Sequence, residues 1–300
     1  MNAALAAALI ALVAFAVAGP RLAGALPPAV TVRVLAPATV LAAGCGAFVL
    51  AVVTFTWLGQ LAQVAARGSW SADTLRLLNP VPSQVSVTAG FLLVPLAVWT
   101  TWTAAGRIHG LWVTHQVCRH LPPAAQAPVT VVDSDTVDAF TTASGHIIVT
   151  SGMLSALTLG QRQIVVAHER SHQRHRHTWW SLATDLAAAV NPLLRPTAAA
   201  IRHATERWAD EDATAVAGRR AVAATIANVA LLRSGKGPHP VVMMAATGGR
   251  VPDRVKALLN PAPRTRVRLL GVAVALPLAI MVATIAVQRA AETLFELAMR

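Results

Sequence analysis

Charged side chains are scarce in this chain of 300 residues: they make up 13% of it, whereas apolar residues make up 55%. A soluble domain has about 25% charged residues, so most of this surface cannot face water. The composition excludes a soluble globular protein, a disordered tail protein and a collagen-like chain. It predicts a membrane protein.

Cysteine and lysine are also rare. The two cysteines, Cys45 and Cys118, are too few for a disulfide framework of the secreted type, and nothing indicates a thiolate metal site. Lys236 and Lys256 are the only lysines among 25 basic residues, so arginine carries almost all of the positive charge.

Four apolar stretches approach or reach the roughly 20 residues that a bilayer-spanning helix needs. They cover residues 3–18, 36–58, 85–106 and 269–287. Gly19 and Pro20 are expected to end the first of them. A fifth stretch, residues 181–201, contains Asp185, Pro192 and Pro196, and is interpreted as a broken connection rather than a span.

The spans divide the chain into three regions: residues 1–106 with three spans, a polar block at 107–268, and residues 269–300 with the fourth span and a short tail. The polar block holds 19 basic and 10 acidic residues, a net of +9, and all ten histidines. Loops at residues 235–240 and 252–263 are predicted within it from proline and glycine.

The basic flanks of the third and fourth spans place this block in the cytoplasm, with both termini outside a plasma membrane. Residues 1–20 also allow a second interpretation, a cleaved signal peptide ending at Ala16-Val17-Ala18, which would invert the topology. The expected basic region at its start is missing.

The polar block contains the sequence QRQIVVAHERSHQRHRH at residues 161–177. Thr158 and Gln161 have the spacing of a helix capping box, which predicts that a helix begins here. On this helix His168, Glu169 and His172 form an H-E-x-x-H motif.

Two histidines at i and i+4 project from one helical face, so both imidazoles can reach one Zn²⁺ ion at about 2.0–2.1 Å. Glu169 is offset to the side, where it can act as general base on a metal-activated water without binding the metal. The motif therefore predicts metal-assisted hydrolysis. Its other interpretation is a basic, histidine-rich surface helix at the membrane.

A third ligand is offered by a second helix, predicted over residues 197–216 because the stretch is rich in alanine and lacks glycine. Glu206 would complete a site of two histidines and one glutamate with one open position. Asp210, one turn later, would accept the outer N–H of a ligating histidine. His203 is a weaker rival ligand.

The acidic residues that follow, Glu211 and Asp212, are expected to be solvated or paired with arginine. His175 and His177, with the arginines between and before them, are interpreted as a basic patch that anchors to anionic headgroups. Nucleic-acid binding is not expected, because no base-stacking or groove-reading motif accompanies the charges.

HERSH followed by ERWAD in a chain rich in apolar spans resembles the BlaR/MecR family of membrane metallopeptidases and, more distantly, the HtpX-like proteases. The resemblance covers residues 85–290 and implies that Glu206 is the third zinc ligand. It also includes residues 138–154, which implies a hairpin or edge strand before the metal helix. The penicillin-binding domain of the BlaR/MecR sensors is not in this sequence, so direct β-lactam sensing is not expected.

The residues themselves agree with a strand, because Gly145 and Gly152 bracket a run rich in isoleucine, valine and threonine. As an exposed edge strand, this run could bind an extended peptide by main-chain pairing. His146 would then line the cleft or be an ordinary strand histidine.

Together these patterns predict a mainly α membrane protein with four transmembrane helices and a gluzincin-like zinc metalloprotease domain. The predicted function is a membrane-embedded endopeptidase with one Zn²⁺ per chain that cleaves a protein, such as a transcriptional repressor. Two alternatives stay open: an HtpX-like quality-control protease, and a non-enzymatic sensor or scaffold with a structural zinc. A structural zinc needs four protein ligands, and the sequence offers three good candidates.

Overall fold

The computed structural model describes residues 1–79, 81–119, 129–234 and 251–300, so the loop predicted at residues 235–240 lies outside the described residues. Within them the chain is mainly helical, as expected, with one small sheet. The helices are α1 (Asn2–Ala25), α2 (Pro28–Leu58), α3 (Ala62–Gly68), α4 (Ala72–Leu78), α5 (Ser83–Cys118), α6 (Ser151–Ala156), α7 (Leu159–His175), α8 (His177–Val190), α9 (Arg195–Ser234), α10 (Val251–Leu259) and α11 (Val267–Met299). The strands are β1 (Val129–Val132), β2 (Ala139–Thr141) and β3 (Ile147–Thr150).

Several helices are long and apolar enough to cross a bilayer. The four predicted stretches fall within α1, α2, α5 and α11. Among the described residues a fifth candidate, Pro192–Arg233, lies almost entirely in α9, so there is one more candidate than predicted. The expected break between residues 181 and 201 is present, because α8 ends at Val190 and a single 3₁₀ turn precedes α9.

The first helix does not end at Gly19 and Pro20, contrary to the prediction. It continues through Pro20 to Ala25, with buried residues on both sides of the proline, including Phe15 and Leu22. A proline removes one N–H and is tolerated in an apolar helix when neighbouring helices pack around it. Packing of α1 against α9 and α11 is thus the interaction that overrides the local stop signal.

The main core joins the apolar helices to the polar block. Phe15 of α1, Leu35 of α2 and Ile280 of α11 are buried in one cluster with Ile201 and Trp208 of α9. A buried carboxylate adds a polar link: Asp185 of α8 pairs with Arg107 of α5 at 3.0 Å and with Arg202 of α9. Burial of Asp185 requires such partners, so α8 and α9 have fixed positions against the apolar helices.

The sheet precedes α7 and has the order β1-β3-β2. The predicted β-hairpin is present, because β2 pairs antiparallel with β3. However, β3 is the central strand rather than an edge strand, since β1 pairs with its other side in parallel. The run of apolar residues in β3 is explained by this central position, because all four residues of the strand are buried. The edge next to α7 is β2.

The loop predicted over residues 252–263 is wrong for its first part, which forms α10. Two interactions stabilise this helix. Leu258 is buried in a cluster with Ile164 of α7 and Val222 of α9. Arg219 donates to the carbonyl oxygens of Ala257 and Leu258 and also pairs with Glu211, so the C-terminal carbonyls of α10 have a charged partner.

Replacing Gly19 by valine should destabilise the protein, because α1 and α9 meet at this glycine. A Cβ atom on Gly19 would lie 2.5 Å from Oγ1 of Thr197, a buried residue of α9. We expect a loss of about 1–3 kcal/mol, typical of overpacking, measured as a lower thermal unfolding midpoint in detergent.

The matched control is Gly24→Val, on the same helix, where an added Cβ meets no atom within 4 Å. Equal unfolding midpoints for the two variants would contradict the packing account.

Candidate metal and catalytic site

The H-E-x-x-H motif lies on α7, which begins with the predicted capping box. The Thr158 side chain accepts from the Gln161 N–H, and the Gln161 side chain accepts from the Thr158 N–H. Burial of Ile164 against α9 and α10 sets the rotation of the helix. His168 and His172, one turn apart, then face Glu206 of α9.

His168, His172 and Glu206 each offer one ligand atom, and these three atoms lie within 4.8 Å of one another. The two Nε2 atoms are 3.0 Å apart, and the Glu206 oxygens lie 3.7 Å from His168 Nε2 and 3.5 Å from His172 Nε2. Ligand atoms at about 2.05 Å in a tetrahedral zinc site are about 3.3 Å apart. The cluster therefore fits a zinc ion in both donor type and spacing.

The outer nitrogen of His168 has a charged partner. Asp210 Oδ1 lies 3.0 Å from His168 Nδ1, which orients the ring so that Nε2 points into the cluster. Arg254 of α10 donates two hydrogen bonds to Asp210, at 2.6 and 2.7 Å, and its third nitrogen lies 3.0 Å from Glu206. One largely buried guanidinium thus neutralises and fixes both carboxylates.

Glu169 is held from the sheet side. The residue is 8% exposed, and the Thr141 hydroxyl of β2 lies 2.8 Å from its Oε2 and 2.8 Å from its backbone oxygen. The charge of Glu169 contributes to the electrostatic environment of His172 and Arg254, so its carboxylate is close to the cluster. An acidic group in this position can exchange a proton with a reactant bound at the cluster.

The two histidines of the motif have opposite pKa shifts. Burial lowers the pKa of His168, but hydrogen bonds with Asp210 and Glu206 outweigh burial and raise it to about 10. Burial lowers the pKa of His172, and the positive charge of His168 adds to that effect against the attraction of Glu206. A proton and a metal ion therefore compete for the same lone pair on His168.

The interpretation of His177 as part of a surface patch is wrong. Helix α7 ends at His175, Arg176 takes a left-handed conformation with φ 53°, and α8 begins at His177. This turn brings His177, which is 2% exposed, beneath the cluster, with its Nδ1 2.9 Å from His172 Nδ1. Burial, followed by the charge of His172, lowers the pKa of His177 to about 2.

The remaining predicted residues are outside the cluster. Glu211 pairs with Arg219, and Asp212 accepts from Ser171 and lies 2.9 Å from His175. Among the described residues, neither His203 nor His146 belongs to the metal-binding group. His146 is buried at the β2–β3 turn, where its Nδ1 lies 3.1 Å from Ser144 Oγ.

Sequence reasoning missed three residues that contact the site: Thr141, His177 and Arg254. Thr141 lies in the segment 138–154 that resembles the metallopeptidase families, but its bond to Glu169 depends on how the sheet packs on α7. Arg254 lies in a stretch where prolines predict a loop. For His177 the signal is a second histidine soon after the motif, following His175, and the sequence hides its position because Arg176 is not a usual turn residue.

Comparison with known proteins supports the chemistry of this cluster. Residues 113–235 match the model of Peptidase family M48. The match covers less than half of the chain but includes α7, α8 and Glu206, and it supports a relationship to the M48 metallopeptidases in general. Neither a curated protein nor a solved structure matches the chain.

Zinc binding at pH 8 should release about one proton from His168, because its raised pKa keeps the ring protonated until the metal displaces the proton. Titration calorimetry in two buffers of different ionisation enthalpy gives the number of protons released.

Asp210→Asn is the comparison, because it removes the carboxylate that keeps this proton on His168. Any proton released by ionisation of water in the site is released by both proteins, so it cancels when the two proton counts are compared. Equal release by wild type and variant would contradict the proposed competition.

Proposed function

We propose that this protein is a membrane-bound, zinc-dependent endopeptidase that hydrolyses peptide bonds of protein substrates. The observation that carries the proposal is the convergence of His168, His172 and Glu206 to within 4.8 Å, beside the fixed carboxylate of Glu169. The M48 match supports metallopeptidase activity independently of this geometry.

Two histidines and one glutamate would hold the zinc and leave one position for reactants, as in catalytic rather than structural sites. Bound zinc would supply a Lewis acid that polarises the scissile carbonyl and lowers the pKa of water. Glu169 accepts the proton of the attacking water and donates it to the leaving amine. Thr141 keeps the carboxylate of Glu169 in place, and Asp210 keeps His168 oriented.

The substrate backbone would bind along β2. The Asp138 carbonyl accepts from the Thr150 N–H of β3, and the Thr142 N–H donates to the carbonyl of His146 just before β3. The alternate residue Thr141 therefore directs its N–H and C=O to the other side. That side has no main-chain partner for Thr141 among the described residues. An extended peptide that pairs there passes beside Glu169, because the Thr141 side chain contacts this residue.

The catalytic region would lie against the cytoplasmic face. Residues 107–268 form this region in the proposal, and four helices (α1, α2, α5 and α11) cross the membrane. Helix α9 is apolar enough to be a candidate span, but it carries Arg202, Glu206 and Asp210, whose partners lie on α7, α8 and α10. Charged groups are costly in the hydrocarbon core, which favours a position of this part of α9 outside it.

A regulator such as a transcriptional repressor and a damaged membrane protein are both compatible with this site. An inactive Glu169→Gln protein in the native cell should retain its substrates, and comparing its bound proteins with those of the wild type distinguishes the two. One or a few regulators would support signalling, whereas many unrelated membrane proteins would support quality control.

Glu169→Gln should abolish proteolysis while zinc stays bound, because the amide cannot accept the proton of the attacking water. Zinc content by elemental analysis and cleavage of an unfolded protein substrate measure the two properties. His168→Ala is the contrast and should lose both the metal and the activity. Full cleavage by the Gln variant would overturn the mechanism, and one tightly held zinc in the Ala variant would overturn the ligand assignment.

Thr141→Val should lower kcat by about 10-fold or more with zinc content unchanged, because Glu169 loses the hydroxyl that orients it. Thr141→Ser, which keeps a hydroxyl, should restore most of the rate. If serine and valine gave the same kcat, the hydroxyl would have no role in positioning Glu169.

A further inference from the structure

His177 contacts His172. Among the described residues, no carboxylate pairs with Nδ1 of His172, whereas Asp210 pairs with Nδ1 of His168. Nδ1 of His177 lies 2.9 Å from Nδ1 of His172, with the two rings nearly perpendicular at 85°. The turn at Arg176 creates this contact, because it reverses the chain between α7 and α8. His172 and His177 therefore share one hydrogen bond on the side of His172 that faces away from the metal-binding group.

We propose that His177 is a positioning residue, which accepts a hydrogen bond from His172 Nδ1 and so presents the lone pair of His172 Nε2 to the metal. The inference rests on the proposed function, since it assumes that the cluster binds zinc. His177 lies outside both the H-E-x-x-H motif and α9. Its hydrogen bond with His172 defines which nitrogen of each of these two rings carries the proton.

The proton arrangement follows from the chemistry of imidazole. A neutral imidazole has one donor nitrogen and one acceptor nitrogen. When His172 Nε2 is the ligand, its Nδ1 carries the proton, and His177 Nδ1 must be the acceptor. The proton of His177 is then on Nε2, which is buried and has no hydrogen-bond partner among the described residues. An unpaired buried N–H is unfavourable, so local packing has to keep His177 in this position.

That packing is provided by neighbouring rings. Trp208 of α9 lies 4.9 Å from His177 and 4.2 Å from His175, centroid to centroid, and His175 stacks near His177 at 5.7 Å. Arg33 of α2 lies over the Trp208 ring at 4.6 Å. His177 is 2% exposed, so these groups shield the hydrogen bond between His172 and His177 from bulk solvent.

The two ligating histidines are thus supported differently. His168 has a carboxylate partner, Asp210, whereas His172 has a neutral ring. A neutral acceptor orients the ring of His172 without adding another negative charge near Glu206 and Glu169. Groups of this kind typically change metal affinity or activity by 10- to 100-fold when removed.

Two substitutions of His177 separate hydrogen bonding from packing. His177→Phe keeps an aromatic ring against Trp208 but removes the acceptor. His177→Asn removes the ring but places an amide oxygen near the position of Nδ1. The matched control is His175→Phe. His175 stacks on the same tryptophan as His177, but its hydrogen-bond partner is Asp212 and not His172.

The full chain in detergent is used for two measurements, zinc affinity by competition with a chelator and the thermal unfolding midpoint without metal. We expect His177→Phe to weaken zinc binding by about 10- to 100-fold with little change in the metal-free midpoint. His177→Asn and His175→Phe should bind zinc within a few-fold of the wild type.

Equal zinc affinity of His177→Phe and the wild type would overturn the inference and leave the proposed function intact. Equal weakening by Phe and Asn, with a lower metal-free midpoint, would assign His177 a structural role and also overturn it. A wild-type protein that binds no zinc would overturn the proposed function, and the inference with it.

Discussion

One largely buried arginine, Arg254, connects the acidic residues of the site. Its side chain is 14% exposed and forms two hydrogen bonds with Asp210 and an ion pair with Glu206. Buried charges are stable only when their partners are complete, so these carboxylates depend on α10 being in place. Arg219 stabilises α10 by donating to the carbonyl oxygens at the end of that helix, and it also pairs with Glu211 of α9. The cluster is therefore assembled from segments about 90 residues apart, and α10 is as necessary to it as the motif helix.

The other side of the site depends on the turn at Arg176. Because α8 reverses direction there, His177 returns to His172, and Trp208 of α9 packs against it. The same tryptophan belongs to the core formed with α1, α2 and α11, and Arg33 of α2 lies over its ring. A displacement of α2 relative to α9 would therefore reach His172 through three contacts: Arg33 with Trp208, Trp208 with His177, and His177 with His172.

The parts of the site that could be predicted from sequence are those that depend on helical periodicity. His168 and His172 share a face because they are four residues apart, and the same holds for Glu206 and Asp210. The contacts of His177 and Arg254, and the central position of β3, depend on tertiary packing between distant segments. Local signals were also overridden by packing where α1 continues through its proline and where α10 forms with Pro252 in its first turn.

The two oxygens of Glu206 have different surroundings. Oε2 lies 3.0 Å from Arg254 and 3.7 Å from His168 Nε2, whereas Oε1 lies 3.5 Å from His172 Nε2. A carboxylate that shares its charge with a guanidinium is a weaker metal ligand than a free one, but its orientation is fixed before the metal arrives. In the proposed zinc site, a somewhat lower affinity together with a fixed ligand geometry would suit a metal that accepts and releases reactants at an open position. Arg254 would then affect the reactivity of that site as well as the positions of Glu206 and Asp210.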